Sequence, residues 1–139
     1  MLQRALSALT HEVFLMYEIG IRAQFEAAHR LVGDFGPAAR FHGHTYTLEV
    51  ILRGEQLKPD GTLSDIAALQ AAVGALTAEL HYRDLAEVPG LAGINTTAEN
   101  VAHYCWEQLA AGLRGQGLSS LCVRVWENPQ AYAARDEAL

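Results

Sequence analysis

A chain of 139 residues, half of them apolar, has the size of one domain with a real core, and its formal charge is −6. Its ten Lys and Arg residues are spread along the chain, so no basic stripe exists to neutralise a phosphate backbone, and nucleic acid is not an expected partner. Cys105 and Cys122 lie in apolar periodic segments without Cys-x-x-Cys spacing, which reads as buried free thiols in a reducing compartment and not as a disulfide scaffold.

The N-terminal stretch MLQRALSALTHEVFLMYEIG has a single Arg and a broken apolar run, so it fits neither a secretory signal nor a membrane span. Residues 1–15 are expected to be an extension and 16–139 a single domain, with the cytoplasm as location and no membrane partner. From Tyr17 to Ala27, Tyr17, Ile19, Ile21, Ala23 and Phe25 alternate with mostly polar residues, the period of a half-buried strand. A turn-rich VGDFGPAAR follows, and then Tyr46, Leu48, Val50 and Leu52 alternate against Thr45, Thr47, Glu49 and Arg53. This predicts an antiparallel pair with a long connection.

KPDGTLSD supplies a turn and a helix start, with Ser64 or Asp65 as N-cap and Ile66, Leu69, Val73, Leu76 and Leu80 at helical spacing. A second helix is expected after NTTAEN, where Thr96 and Glu99 fit a capping box, with Val101, Cys105, Leu109 and Leu113 inward. LCVRVWENP then alternates as a strand, and residues 131–134 suit its hairpin partner. The order strand, strand, helix, helix, strand, strand predicts an α+β fold: a four-stranded antiparallel sheet with two helices on one face. Its other face is left to water or to a partner subunit, and Trp126, Tyr132 and the neighbourhood of Tyr46 suit an oligomer.

Three histidines stand out. His42 and His44 in FHGHTY are two apart on one strand, so their imidazoles share a face, and His29 ends the preceding strand. Three imidazoles with an open fourth position make a catalytic zinc site. The same spacing also suits polar decoration of an exposed strand, and the residues alone leave both readings open.

FEAAHRL, HGHTYTLEV, GTLSDIAAL, VPGLAGINTTAENVA and VRVWENP together resemble the successive motifs of the 6-pyruvoyltetrahydropterin synthase and 6-carboxytetrahydropterin synthase family, over Tyr17 to about Tyr132. The resemblance implies Zn²⁺ on His29, His42 and His44, and the tunnelling fold assembled as trimers stacked into a hexamer. It also implies a reduced pterin substrate such as 7,8-dihydroneopterin triphosphate, bound between subunits with its side-chain oxygens on zinc. Glu127 matches the glutamate that accepts the ring's amide N–H and amine, and Thr97 matches a threonine that fixes the ring. Glu99 reads as structural. Three imidazoles also accept Ni²⁺, Co²⁺ or Fe²⁺.

The family's proton-handling cysteine falls on Ala38, and its Asp-His pair falls on His81 and Tyr82. These changes imply altered chemistry, elimination or side-chain cleavage, with His81 and Tyr82 as the catalytic candidates and Asp34 as an accessible substitute base. His81 and Tyr82 also suit a helix-end histidine and a packed aromatic. The leading expectation is therefore a zinc-dependent lyase of a reduced pterin; relatives serve tetrahydrobiopterin, queuosine and folate-type routes. The alternatives are a non-catalytic zinc-containing binder of a pterin or purine-like ligand, and an oligomeric protein with a zinc staple.

Overall fold

The computed structural model describes residues 15–139, so the expected extension lies, apart from Leu15, outside the described residues. Strand β1 (Tyr17–His29) pairs antiparallel with β2 (His42–Gly54) in an unbroken register from Tyr17 opposite Gly54 to His29 opposite His42. Between them the chain makes a 3-10 turn, Gly36–Ala39, where Gly36 takes a φ of 58° that favours glycine. The Leu31 amide donates to the Ala38 carbonyl at 2.9 Å and closes that loop.

Helix α1 (Ile66–Leu80) starts at Asp65, whose carboxylate accepts from the Ala67 and Ala68 amides, so Asp65 and not Ser64 is the cap. Leu69, Val73, Leu76 and Leu80 are buried as their spacing requires, whereas Ile66 in the first turn is exposed. After α1 come β3 (Arg83–Asp84), two 3-10 turns and helix α2 (Ala98–Leu113). The chain ends in the hairpin of β4 (Ser120–Asn128) and β5 (Ala131–Ala138).

The sheet order is β3-β1-β2-β4-β5. Four long strands are antiparallel as expected, and the addition is β3, two residues running parallel to β1 at Ala27 and Ala28. A two-residue strand carries no periodicity from which to be read. Phe25, Tyr46, Leu48, Val50, Leu52, Leu121, Val123 and Val125 form the helix-facing layer of the core, against α1 and α2. Burying each large side chain there contributes about 1.5–3 kcal/mol.

The expected capping box is corrected by the structure. The N-cap of α2 is Thr97, whose hydroxyl accepts from the Asn100 amide at 3.2 Å, so the box would need its acidic partner at Asn100, and Glu99 is out of register. Thr96 lies outside the helix and is buried. The segment before it packs tightly on α2: a Cβ at Gly90 would stand 2.2 Å from the Tyr104 ring. That close approach helps to fix where Thr96 and Thr97 arrive.

Candidate metal centre and ring pocket

The β1–β2 register sets His29 opposite His42 and Ala27 opposite His44, all on the helix-covered side of the sheet's end. The small Ala27 side chain leaves room there. Ring centroids lie 4.6 Å apart for His29 and His42, 5.1 Å for His29 and His44, and 4.8 Å for His42 and His44, each pair edge to face. One ligand nitrogen from each falls within 4.8 Å of the others.

The tautomers are set by the backbone. His29 Nδ1–H donates to the Thr96 carbonyl at 2.7 Å, and His42 Nδ1–H donates to the Arg40 carbonyl at 2.6 Å. Each bond leaves Nε2 with a free lone pair, the arrangement that orients metal-ligating imidazoles. His29 Nε2 is buried without a hydrogen-bond partner among the described residues, and Nε2 of His42 and His44 stand 3.1 Å apart. Donors at ~2.0–2.1 Å from one tetrahedral ion stand roughly 3.3 Å from each other. The donor set therefore fits zinc, which would satisfy the orphaned nitrogen. Burial lowers the His44 pKa; the Glu127 carboxylate opposes this, and the neighbouring His29 and His42 add to it.

Glu127 and Thr97 meet in one cavity of about 270 Å³, walled by Leu31, Phe35, Glu99 and Tyr132. Asn95 holds the wall in place, since its side chain exchanges two hydrogen bonds with the Val32 backbone, at 2.9 and 3.1 Å. Tyr46, expected near an oligomer surface, is instead fully buried in the core beside the histidines, because it alternates with Leu48 on the helix-covered side; it stacks on Phe25 at 4.8 Å and is edge-on to His44 at 5.2 Å. Burial, with the Glu127 charge, pushes its phenol pKa well up. Its hydroxyl has no partner among the described residues.

His81 and Tyr82 stand on the far side of β1. His81 caps α1, and its Nδ1 accepts the Glu26 amide hydrogen at 3.0 Å, so the proton of the neutral ring is on Nε2. Tyr82 is 82% exposed and holds a φ of 56°, costly for an aromatic residue. It is held there by its amide, which donates to the Glu26 carbonyl at 2.6 Å. Tyr82 and His44 line one open cavity of about 500 Å³ with Glu26, Phe41, Arg83 and Asp84. Ala38 presents only a methyl group, and Asp34 is exposed. Cys105 and Cys122 are buried; burial raises both thiols, Cys105 to about 12, so neither is a ready proton carrier.

Sequence reasoning missed Thr96, whose carbonyl orients His29, and Tyr46, whose burial beside the histidines leaves a polar atom unpaired. A carbonyl role carries no residue-type signal, but Tyr46 follows His42 and His44 on the same alternating face and was accessible to that argument.

Residues 18–138 match the family model described as 6-pyruvoyl tetrahydropterin synthase. A Dictyostelium discoideum 6-pyruvoyl tetrahydrobiopterin synthase is 31% identical over 105 residues, 67% of this chain and 78% of that protein. A Pyrococcus furiosus dihydroneopterin monophosphate aldolase is 34% identical over 94 residues, 68% of this chain and 75% of that protein. Among solved structures, Caenorhabditis elegans 6-pyruvoyl tetrahydropterin synthase superposes with a TM-score of 0.75 at 26% identity, over 88% of this chain and 96% of that one.

Proposed function

Because this chain belongs to the 6-pyruvoyl tetrahydropterin synthase family, we propose that it is a zinc-dependent lyase that cleaves the side chain of a reduced pterin phosphate of the 7,8-dihydroneopterin type. The observation that carries this reading is the convergence of His29, His42 and His44, with two Nδ1–H groups tied to carbonyls and a buried Nε2 left over. A structural zinc normally has four protein ligands, and three leave a position for substrate.

Bound zinc would supply Lewis acidity toward a side-chain oxygen. The chain's own residues supply the rest. Glu127, with two acceptor oxygens in the cavity it shares with Thr97, suits the paired N–H donors of a pterin ring. Carbon–carbon cleavage is favoured over elimination because Ala38 leaves no thiol to move the protons, and because a similar protein is an aldolase by name. In such a cleavage a side-chain hydroxyl loses its proton, the adjacent carbon–carbon bond breaks, and a two-carbon aldehyde leaves. The electron pair is carried by the ring until a proton returns to the carbon that remains attached. His81 as placed is a donor through Nε2–H, since its other nitrogen already accepts from Glu26. Tyr82, on the wall shared with His44, is the candidate that takes the hydroxyl's proton, acting in its deprotonated form, while His81 returns a proton to the remaining carbon.

A second reading, a non-catalytic pterin binder, is supported by the same engagement of His81 and by the exposure of Tyr82. The two separate on incubating zinc-loaded protein with 7,8-dihydroneopterin monophosphate and triphosphate and following pterins by mass spectrometry. The lyase reading expects a hydroxymethyl pterin and a two-carbon aldehyde, strongly reduced in His81→Ala. Intact substrate in the presence of measurable binding would leave the binder.

A further inference from the structure

Among the described residues, two buried side-chain atoms lack any hydrogen-bond partner, His29 Nε2 and the Tyr46 hydroxyl. A metal on the three histidines would account for the first. The second stands on a fully buried residue, and burying a hydroxyl unpaired costs about 1–3 kcal/mol, so a fold that retains one has a use for it.

The β2–β4 pairing ends with Thr47 opposite Trp126, so Tyr46 and Glu127 are the next residues of the two strands, at a point where the β4–β5 register is irregular between Trp126 and Asn128. Tyr46 belongs to the helix-covered side, where it alternates with the core residue Leu48, and Glu127 lines its cavity together with Thr97 and Ala98 at the start of α2. Glu127 is half-buried and lines the ring cavity. Its charge also acts on the Tyr46 phenol.

We propose that Tyr46 is a positioning residue: its hydroxyl, without a partner in this structure, donates to the Glu127 carboxylate from the core side when the ring is bound and holds it against the ring's two donors. This rests on the reading of Glu127 as the ring anchor. A carboxylate offers about four lone-pair sites, so one that takes two parallel donors from the cavity keeps acceptor capacity for a third from beneath. A neutral phenol is a good donor here because the bond to an ionised acceptor is short and strong. Without it, Glu127 has freedom to turn toward solvent, and the ring must order it on binding.

The test is a double-mutant cycle on the zinc-loaded full chain, titrated with fluorescent 6-hydroxymethylpterin into the millimolar range. The proteins are wild type, Tyr46→Phe, Glu127→Ala and the double variant. Tyr46→Phe keeps the ring on Phe25 and removes one donor. Its Kd is expected to rise roughly three- to tenfold, with zinc content unchanged. In the Glu127→Ala background the same substitution is expected to change nothing, a coupling that a general packing role would not produce. Equal binding by Tyr46→Phe and wild type overturns the inference. So does an effect of Tyr46→Phe that persists at full size without Glu127. No binding by wild type at all would sink the ring-anchor reading first, a result distinct from either.

Discussion

His29 is the residue on which most of the site converges: buried, tied through Nδ1 to Thr96, and with Nε2 unpartnered among the described residues. Replacing it by Ala removes a proposed ligand and the reason for that polar burial. His29→Ala and His42→Ala are expected to lower zinc from about one ion per chain to a small fraction, measured by plasma emission after dialysis. Glu127→Gln keeps shape and loses charge, and is expected to weaken pterin binding by about 1–3 kcal/mol in fluorescence titration. The histidine spacing was legible in the sequence because i and i+2 share a strand face. The tautomers were not, because they depend on the backbone carbonyls of Arg40 and Thr96. Neither carbonyl is marked by residue type.

On the open face of the sheet, Glu49 is a different kind of residue. Burial opposes its ionisation, but hydrogen bonds from Arg124, Trp126 and Arg22 outweigh that and hold its carboxyl below the usual range. A folded-state pKa below the unfolded value gives stability that is present above the unfolded value, near pH 4, and lost as pH falls through the folded one. Urea denaturation across pH 2–6 is expected to show that acid limb flattened in Glu49→Gln. An unaltered limb would contradict the assignment. Because Arg22 is largely exposed and Arg124 partly so, Glu49→Gln should cost only about 1–2 kcal/mol at neutral pH, less than breaking a fully buried pair.

At the scale of elements, alternation and helical spacing were enough to place the four long strands and both helices. The errors fell where a local pattern had two solutions. Thr96 and Thr97 are adjacent caps by composition, and the buried place of Thr96 beside His29 decides in favour of Thr97. Thr97→Ala is therefore expected to cost about 1 kcal/mol in thermal unfolding without ligand, beyond any effect on pterin binding. The two-residue β3 forms through tertiary context, when the chain leaving α1 is caught by Glu26 through His81 and Tyr82. Tyr82 holds its left-handed backbone at a cost that glycine avoids, offset in part by glycine's greater freedom in the unfolded chain. Tyr82→Gly is expected to stay within about 1 kcal/mol of wild type in stability. Loss of turnover in that variant would then report on the side chain and not on folding.

Across the whole molecule, the helices cover one face of the sheet, and the site sits at the end of that face where β1 and β2 meet. No helix among the described residues is long and apolar enough to cross a membrane. The expected trimer-based hexamer stands as a proposal, supported by an open sheet face on which Trp126 packs against Tyr132 and by cavities that open to the surface beside His44 and Glu127. Light scattering behind size exclusion is expected to give six chains per particle, and a monomer at micromolar concentration would remove the subunit-interface site from the account.

The central claim is that a metal on His29, His42 and His44 receives the side chain of a pterin whose ring is held by Glu127. Calorimetric titration of 7,8-dihydroneopterin and of side-chain-free 7,8-dihydropterin into zinc-loaded and zinc-free protein tests it most directly. The account predicts that zinc tightens binding of dihydroneopterin at least tenfold and leaves dihydropterin nearly unchanged, a coupling of ~1.4 kcal/mol or more. Equal affinity of dihydroneopterin for the two forms would contradict it.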